Sequence, residues 1–220
     1  MNYILSKFSH ELRNPLTTVY STVQLIELQH PEVKEFKYWS NLTFDLSYII
    51  TLLDDLSDFS KSENLQLSHF SLRTLLEQIV LSFAASIVDS GVEFTAKISP
   101  SINQINGDKT KLQEVFLNLL KNAFEAAAPS QTIALEAALS GQNIVICVHD
   151  TGCGISEEQL AHIFEPFATY KKDGTGLGLA ICDQIIRAHK GSISVTSSVG
   201  KGTSFTISLP VDPLSLVGNP

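Results

Sequence analysis

Two apolar stripes in the first 62 residues have the spacing of packed helices. Apolar residues recur at steps of three and four on both sides of a break at Gln29-His30-Pro31. The stripes are Leu5, Phe8, Leu12, Leu16, Val19, Val23 and Ile26, and then Trp39, Leu42, Leu46, Ile49, Leu53 and Leu56. Each stripe lasts about three heptads, which is typical of a coiled coil or a four-helix bundle. Because one hairpin of two such helices buries little surface, we expect two hairpins to meet in a homodimer with a four-helix core.

The rest of the chain has the pattern of mixed helices and strands. Helical periodicity predicts helices over residues 70–88, 109–128 and 178–188. Runs rich in β-branched residues predict strands over 93–98, 132–139, 144–149, 192–197 and 203–209. The predicted fold class is therefore α+β, a helical hairpin followed by an α/β sandwich.

The change of pattern predicts two domains. We place the helical hairpin at residues 1–64 and the sandwich at 68–212, a common domain size. The polar stretch between Ser62 and Ser68 is expected to act as a hinge. The proline-containing tail from Val211 to Pro220 is expected to fray.

Composition excludes several classes of protein. The 220 residues are 44% hydrophobic and 17% charged, an ordinary globular balance. A net charge of -8 argues against a surface that coats nucleic acid. The three cysteines lack CxxC spacing and indicate neither a disulfide framework nor a zinc site. No apolar run approaches the roughly 18 residues of a membrane span, so we expect a cytoplasmic chain without direct membrane contact.

His10 is expected on the outer face of the first helix. It lies two positions from Phe8 and two from Leu12, which is about 200° around the helix from either. Pro15 removes the amide that would bond to the carbonyl of Glu11, so the helix should bend close to His10. An imidazole beside a carboxylate can lose its ring proton and present a nucleophilic nitrogen. The alternative is a solvated surface histidine.

Two motifs after Asp108 suggest binding of a metal and a flat base. A predicted helix places Asn118 and Asn122 one turn apart, and amide oxygens suit Mg²⁺, which keeps most of its waters and binds substrate phosphates. A strand then delivers Asp150, whose carboxylate can accept a hydrogen bond from an exocyclic amine. Gly152 and Gly154 allow the chain to approach a flat ring closely.

Two further motifs suggest a loop that binds phosphate. The sequence FEPF at 164–167 offers aromatic side chains that could anchor a loop, and GTGLG at 174–178 runs into the start of a helix with free amides. Each motif alone has an ordinary structural interpretation, such as surface amides, core aromatics or a simple turn. The glycine spacing matches neither the dinucleotide fingerprint nor the Walker loop. The four motifs together, in this order, are specific.

The chain resembles the kinase core of sensor histidine kinases. HELRNPL (10–16), NLLKNAFEA (118–126), DTGCG (150–154), FEPF (164–167) and GTGLGLA (174–180) are similar to their H, N, G1, F and G2 boxes. The match covers nearly the whole chain. It implies a dimerisation and histidine-phosphotransfer hairpin followed by a Bergerat-type domain that binds ATP and Mg²⁺.

The resemblance also implies roles for individual residues. His10 would accept the phosphoryl group, Glu11 would be the base that prepares it, and Asn14 would orient water that hydrolyses a phosphorylated partner. Asn122 would be the Mg²⁺ ligand and Asp150 would bind the adenine amine. The whole nucleotide site would consist of Asn118, Asn122, Asp150, Gly152, Gly154, Lys171, Gly174, Gly176 and Gly178.

The resulting hypothesis is two-component signal transduction. The chain would phosphorylate His10 from ATP and pass the group to an aspartate of a response-regulator receiver, with phosphatase activity toward that regulator. Any membrane anchor would belong to a region N-terminal to this chain. Three alternatives remain, namely a Bergerat ATPase, a serine kinase of the anti-sigma type, and a scaffold with an inactive pocket. The ATPases carry a glutamate one turn before the metal-binding asparagine, where this chain has Asn118.

Overall fold

A computed structural model describes residues 2–102, 104–171 and 174–211, with side chains from residue 7 onward. The described residues form two compact units. One contains the chain up to Lys61 together with Pro166–Gly178, and the other contains Ser62–Glu165 and the chain from Leu179 onward. No helix in the described ranges is both long enough and apolar enough to cross a membrane.

The first unit is built on a helical hairpin. Helix α1 spans Asn2–Gln29, a short 3-10 helix spans Pro31–Glu35, and helix α2 spans Trp39–Lys61. The predicted break between the helices is confirmed, and α1 continues through Pro15. The turn is closed by the indole nitrogen of Trp39, which donates to Glu27 at 2.6 Å.

The second unit is an α/β sandwich with two sheets. The helices are α3 (Leu72–Ser86), α4 (Lys109–Ala126), α5 (Glu157–Leu160) and α6 (Gly178–Ala188). The strands are β1 (Ser68–Ser71), β2 (Glu93–Ile98), β3 (Gln104–Gly107), β4 (Thr132–Ser140), β5 (Asn143–Asp150), β6 (Ser192–Ser198) and β7 (Gly202–Pro210). The main sheet has the order β2-β4-β5-β7-β6, with β2 and β4 parallel and the other pairs antiparallel. The α+β fold class is confirmed.

The core of this unit lies between the helices and one face of the main sheet. Strand β5 buries Ile144, Ile146 and Val148, which alternate with less buried positions. Side chains on a strand alternate between faces, so Asp150 points to the same buried face at the end of β5. Helix α4 covers this face with a set of apolar residues that are buried at helical spacing: Leu112, Val115, Phe116, Leu119, Leu120 and Ala123.

The boundary between the two units falls between Lys61 and Ser62, at the start of the stretch predicted as a hinge. The side chain of Ser62 is fully buried and its hydroxyl donates to Gln184 on α6. The backbone amide of Gln66 donates to a carboxylate oxygen of Asp108 at 2.8 Å, and residues 68–71 form strand β1. These contacts attach Ser62, Gln66 and residues 68–71 to the α/β unit, and a hinge motion stays a prediction. Of the tail predicted to fray, residues 212–220 lie outside the described residues.

Candidate active site

His10 is exposed on α1, as predicted, and side chains of α2 contact its ring. Its Nε2 atom lies 2.9 Å from Nζ of Lys61 and 3.4 Å from Oγ of Ser57. Lys61 also donates to Ser57 Oγ at 3.0 Å. Neither Ser57 nor Lys61 was predicted from the sequence, because they lie 47 and 51 residues from His10 and only the hairpin brings them together.

Glu11 and Asn14 are exposed on the same stretch of α1. The carboxylate of Glu11 lies 3.8 Å from Nζ of Lys7, one turn earlier, and the carbonyl of Asn14 accepts from the hydroxyl of Thr18 at 3.1 Å. Among the described hydrogen bonds, none joins either residue to the ring of His10. Their assigned roles therefore remain predictions from the resemblance.

An ion pair near His10 connects the two helices of the hairpin. The guanidinium of Arg13 pairs with the carboxylate of Asp54 on α2. The two side chains are 26% and 48% exposed, so the pair is partly shielded from solvent. Because the pair joins α1 to α2 one turn beyond His10, it helps to fix which residues of α2 face the imidazole.

Residues 166–171 and 174–178, which we call the lid segment, belong to the same unit as the hairpin. The hydroxyl of Thr175 donates to the carboxylate of Asp55 on α2, and the amide of Phe167 donates to the carbonyl of Gly176 at 3.0 Å. Gly176 has a φ of +71°, and a Cβ there would lie 2.5 Å from the carbonyl carbon of Phe167. The predicted lid glycine is thus needed for a tight loop.

Two other predicted lid residues lie in the same loop. A Cβ at Gly174 would lie 2.6 Å from Oγ1 of Thr169, so a side chain there would require this hydroxyl to move. Lys171 is exposed, and its backbone amide donates to the same Thr169 oxygen at 3.2 Å. Gly178 is the first residue of α6.

Asp150 is buried at the end of β5, with 2% of its surface exposed. Its Oδ1 accepts the amide of Gly152 at 2.8 Å. Burial raises the pKa of this carboxyl above its ordinary value, while backbone hydrogen bonds from Gly152 and Thr203 and the nearby His149 act in the opposite direction. The group is a hydrogen-bond acceptor that is held in one orientation beside a glycine loop.

Glycines let the chain pass close to Asp150. A Cβ at Gly152 would collide with the carbonyl oxygen of Ala126 at the end of α4, and one at Gly154 would collide with that of Ser198. Gly202, which the sequence reasoning missed, has a φ of +96° and no space for a Cβ beside the Asp150 carbonyl. The sequence signal that could have identified Gly202 is its position directly after the β6–β7 turn, because a glycine after a turn often has a positive φ.

Asn118 and Asn122 are half-buried neighbours on α4. The amide nitrogen of Asn122 donates to Oδ1 of Asn118 at 2.9 Å, which orients both amide groups. Within the described residues, no cluster of three or more His, Cys, Asp or Glu side chains could hold a metal without other ligands. Amide oxygens fit a Mg²⁺ ion that arrives with phosphates and water, since such an ion needs only one or two protein ligands.

Two family models match the chain, the first over the helical hairpin and the second over most of the α/β unit. The first is the His kinase A phospho-acceptor domain over residues 1–65, and the second is the ATPase domain of histidine kinases, DNA gyrase B and HSP90 over residues 107–213. This chain is a sensor histidine kinase core. The resemblance predicted from the five motifs is confirmed.

Curated relatives of the kinase core include two bacterial kinases. It is 34% identical over 211 residues to the signal transduction histidine-protein kinase AtoS of Escherichia coli K12, covering 96% of this chain and 35% of the relative. It is 31% identical over 204 residues to sporulation kinase C of Bacillus subtilis 168, covering 92% and 47%. The chain thus spans between about a third and a half of the length of these relatives.

Solved structures share the fold of the kinase core. Full-length ShkA in complex with AMPPNP matches with a TM-score of 0.77 and 27% identity, covering 96% of this chain and 46% of that chain. The histidine kinase ThkA in complex with the response regulator protein TrrA matches with a TM-score of 0.68 and 26% identity, covering 96% and 62%.

Proposed function

We propose that this kinase core transfers the γ-phosphoryl group of ATP to His10 and then to an aspartate of a response-regulator receiver. The observation that carries the proposal is the buried Asp150 carboxylate, held by Gly152 in the ATPase region of a chain whose phospho-acceptor region exposes His10. The match to the structure of full-length ShkA in complex with AMPPNP supports use of an adenine nucleotide.

In this proposal, each part of the nucleotide has a partner in the kinase core. Asp150 would accept a hydrogen bond from the adenine amine, and the loop at Gly152 and Gly154 would lie against the ring. Asn122 would supply an oxygen to Mg²⁺, with Asn118 holding its amide in place. When bound, Mg²⁺ would neutralise charge on the phosphates. The lid residues Lys171, Gly174, Gly176 and Gly178 would cover the phosphates.

The transfer to His10 uses the lone pair of Nε2. The Nε2–P bond forms as the bond from phosphorus to the bridging oxygen of ADP breaks. The positive charge that develops on the ring is neutralised when a base takes the proton from Nδ1. Glu11, one residue away, would be that base. Phosphoryl transfer depends mainly on positioning and charge neutralisation, so an exposed imidazole nitrogen is a suitable acceptor.

The proposed partners are a second copy of the chain and a receiver domain. Apolar side chains of the predicted stripe remain exposed in a single chain, with Phe8 60%, Leu12 39% and Val19 48% exposed. A second hairpin would bury them in a four-helix core. The structure of ThkA with the response regulator TrrA supports a receiver as the second partner. No membrane or nucleic-acid partner is proposed for this part of the protein.

Asn14 supports a phosphatase role in addition to the kinase role. Its side chain is exposed about one turn beyond His10, where it could orient a water molecule toward a phosphorylated receiver. An Asn14→Ala variant should label His10 normally and dephosphorylate the receiver more slowly. An equal loss of both activities would contradict this role.

Labelling with γ-³²P-ATP tests the kinase proposal against its alternatives. We expect an acid-labile, alkali-stable label that is absent in His10→Gln and retained in the matched control His30→Gln, which changes another exposed histidine of the hairpin. Label on serine would favour the serine-kinase alternative. Steady release of phosphate without label would favour an ATPase, although Asn118, in the position of the ATPase glutamate, cannot deprotonate water.

A further inference from the structure

Lys61 is the last residue of α2, and its ammonium group contacts the reactive histidine. Its Nζ lies 2.9 Å from Nε2 of His10 and 3.0 Å from Oγ of Ser57, which is itself 3.4 Å from the same ring nitrogen. Ser57 lies one turn earlier on α2 and is 2% exposed. The buried hydroxyl therefore holds the ammonium beside the ring.

This contact determines which nitrogen of His10 carries the proton. An ammonium group has three donors and no acceptor, so Nε2 must accept through its lone pair. The neutral ring then carries its proton on Nδ1. The contact thus favours the tautomer in which Nε2 is available to form a bond to phosphorus.

Within the part of the chain that the structure describes, no acidic side chain pairs with Lys61. The described ion pairs of the hairpin do not include Lys61. They are Lys7–Glu11, Arg13–Asp54, His30–Glu32 and Lys34–Glu27. The ammonium group of Lys61 therefore lies directly beside Nε2 of His10, the atom that would receive the phosphoryl group. A phosphoryl group on Nε2 would bring about two negative charges to this position.

We propose that Lys61 is a catalytic residue that prepares His10 for phosphorylation and then binds the phosphoryl group. This inference rests on the proposed kinase function. Before transfer, the ammonium fixes the Nδ1–H tautomer. As the Nε2–P bond forms, the ammonium donates to a phosphoryl oxygen instead of to the ring, and Ser57 keeps it in place. Such charge-assisted hydrogen bonds are among the strongest in proteins.

The test compares neutral and charged replacements of Lys61. Lys61→Met and Lys61→Gln remove the charge, Lys61→Arg keeps it, and Lys34→Met is the matched control on the same hairpin. Each variant is labelled with γ-³²P-ATP, freed of nucleotide by desalting and followed for loss of label. We expect both neutral variants to lower the initial labelling rate and the half-life of the label by about tenfold or more. Lys61→Arg and Lys34→Met should stay within about threefold of the original chain.

A spectroscopic measurement separates this role from a structural one. The ¹⁵N resonances of the His10 ring report which nitrogen carries the proton at a pH where the ring is neutral. We expect the Nδ1–H tautomer in the original chain and in Lys61→Arg, and a shift toward the Nε2–H tautomer in the neutral variants. A change of packing alone would not follow the charge at position 61 in this way.

The outcomes distinguish this inference from the kinase proposal. If the original chain labels His10 and the neutral variants label and retain phosphate equally well, the role of Lys61 is wrong and the kinase proposal stands. If the original chain binds a fluorescent ATP analogue but never labels His10, both fail. Circular dichroism checks the fold, and Lys61→Gln provides the comparison if Lys61→Met does not fold.

Discussion

At the scale of single residues, Gly152 has no room for a side chain. A Cβ there would collide with the carbonyl of Ala126 and lie 2.9 Å from Oδ1 of Asp150. We expect Gly152→Ala to displace the Asp150 carboxylate and weaken binding of a fluorescent ATP analogue by about tenfold or more, because the acceptor loses its orientation. Titration with the analogue measures this.

The control for this substitution is a glycine outside the site. Gly141, in the β4–β5 turn, has a φ of +60° and nothing within 4 Å of its Cβ position, and asparagine tolerates that backbone conformation. Gly141→Asn should therefore bind the analogue as the original chain does. Equal binding by Gly152→Ala and the original chain would show that the loop does not position Asp150 for the nucleotide.

His189 makes the stability of the α/β unit depend on pH. Its Nδ1 donates to the carbonyl of Ile185 at 2.7 Å, and its Nε2 accepts the amide of Asp108 at 2.9 Å. The second hydrogen bond requires the neutral ring, because a protonated Nε2 cannot accept. Burial lowers the pKa of His189 below its ordinary value. The unfolded chain therefore binds a proton at a higher pH than the folded chain does.

The sign of the pH effect follows from this difference. The stabilising contribution of neutral His189 is complete above the ordinary histidine pKa of about 6.5 and is lost as the pH falls from there toward the folded pKa. We expect the melting temperature to fall between pH 7 and pH 5, and the fall to be smaller in His189→Gln than in the control His30→Gln. An identical pH profile for the two variants would contradict this account.

Single site residues differ in how far the sequence could predict them. The burial of Asp150 at the end of a strand beside glycines was predictable, because strand alternation and the glycines after it are local signals. Lys61 and Ser57 were not, since nothing local links the end of α2 to His10 until the hairpin forms. The hydrogen bonds of Asp108 to Gln66 and His189, which anchor the expected hinge, depend in the same way on residues far apart in the chain.

At the scale of elements, periodicity predicted the long helices and strands closely. The strand over 93–98 and the helix over 178–188 were predicted with the bounds that the structure has. Among the elements that were missed, β1, β3 and α5 have four residues each. Strands β1 and β3 pair only with each other in the described structure, so their formation depends on a long-range contact rather than on local propensity.

The Arg13–Asp54 pair should stabilise the hairpin. Because both side chains are partly exposed, we expect a coupling of about 0.5–1 kcal/mol at low salt that shrinks at about 1 M salt. A double-mutant cycle with Arg13→Met and Asp54→Asn measures it. Trp39, the sole tryptophan, lies in the hairpin and reports its urea unfolding by fluorescence. A coupling unchanged by salt would show that the pair acts through packing instead.

At the scale of the whole molecule, the exposed apolar stripe predicts a dimer. Phe8 and Val19 are on α1, are about half exposed and belong to the stripe that a second hairpin would cover. Burying an apolar side chain contributes about 1.5–3 kcal/mol, while an aspartate in its place would have to lose its water. We expect sedimentation velocity to show a dimer for the original chain and a monomer for the double variant Phe8→Asp/Val19→Asp.

The matched control is an exposed leucine of the other unit. Leu81 on α3 is 72% exposed and outside the stripe, so Leu81→Asp should remain a dimer. The double variant should keep its helical signal and still bind the ATP analogue, because the proposed adenine-binding residues lie in the α/β unit. A monomeric original chain would contradict the four-helix core and require another partner for the stripe. A double variant that remains dimeric would place the dimer interface on a different surface.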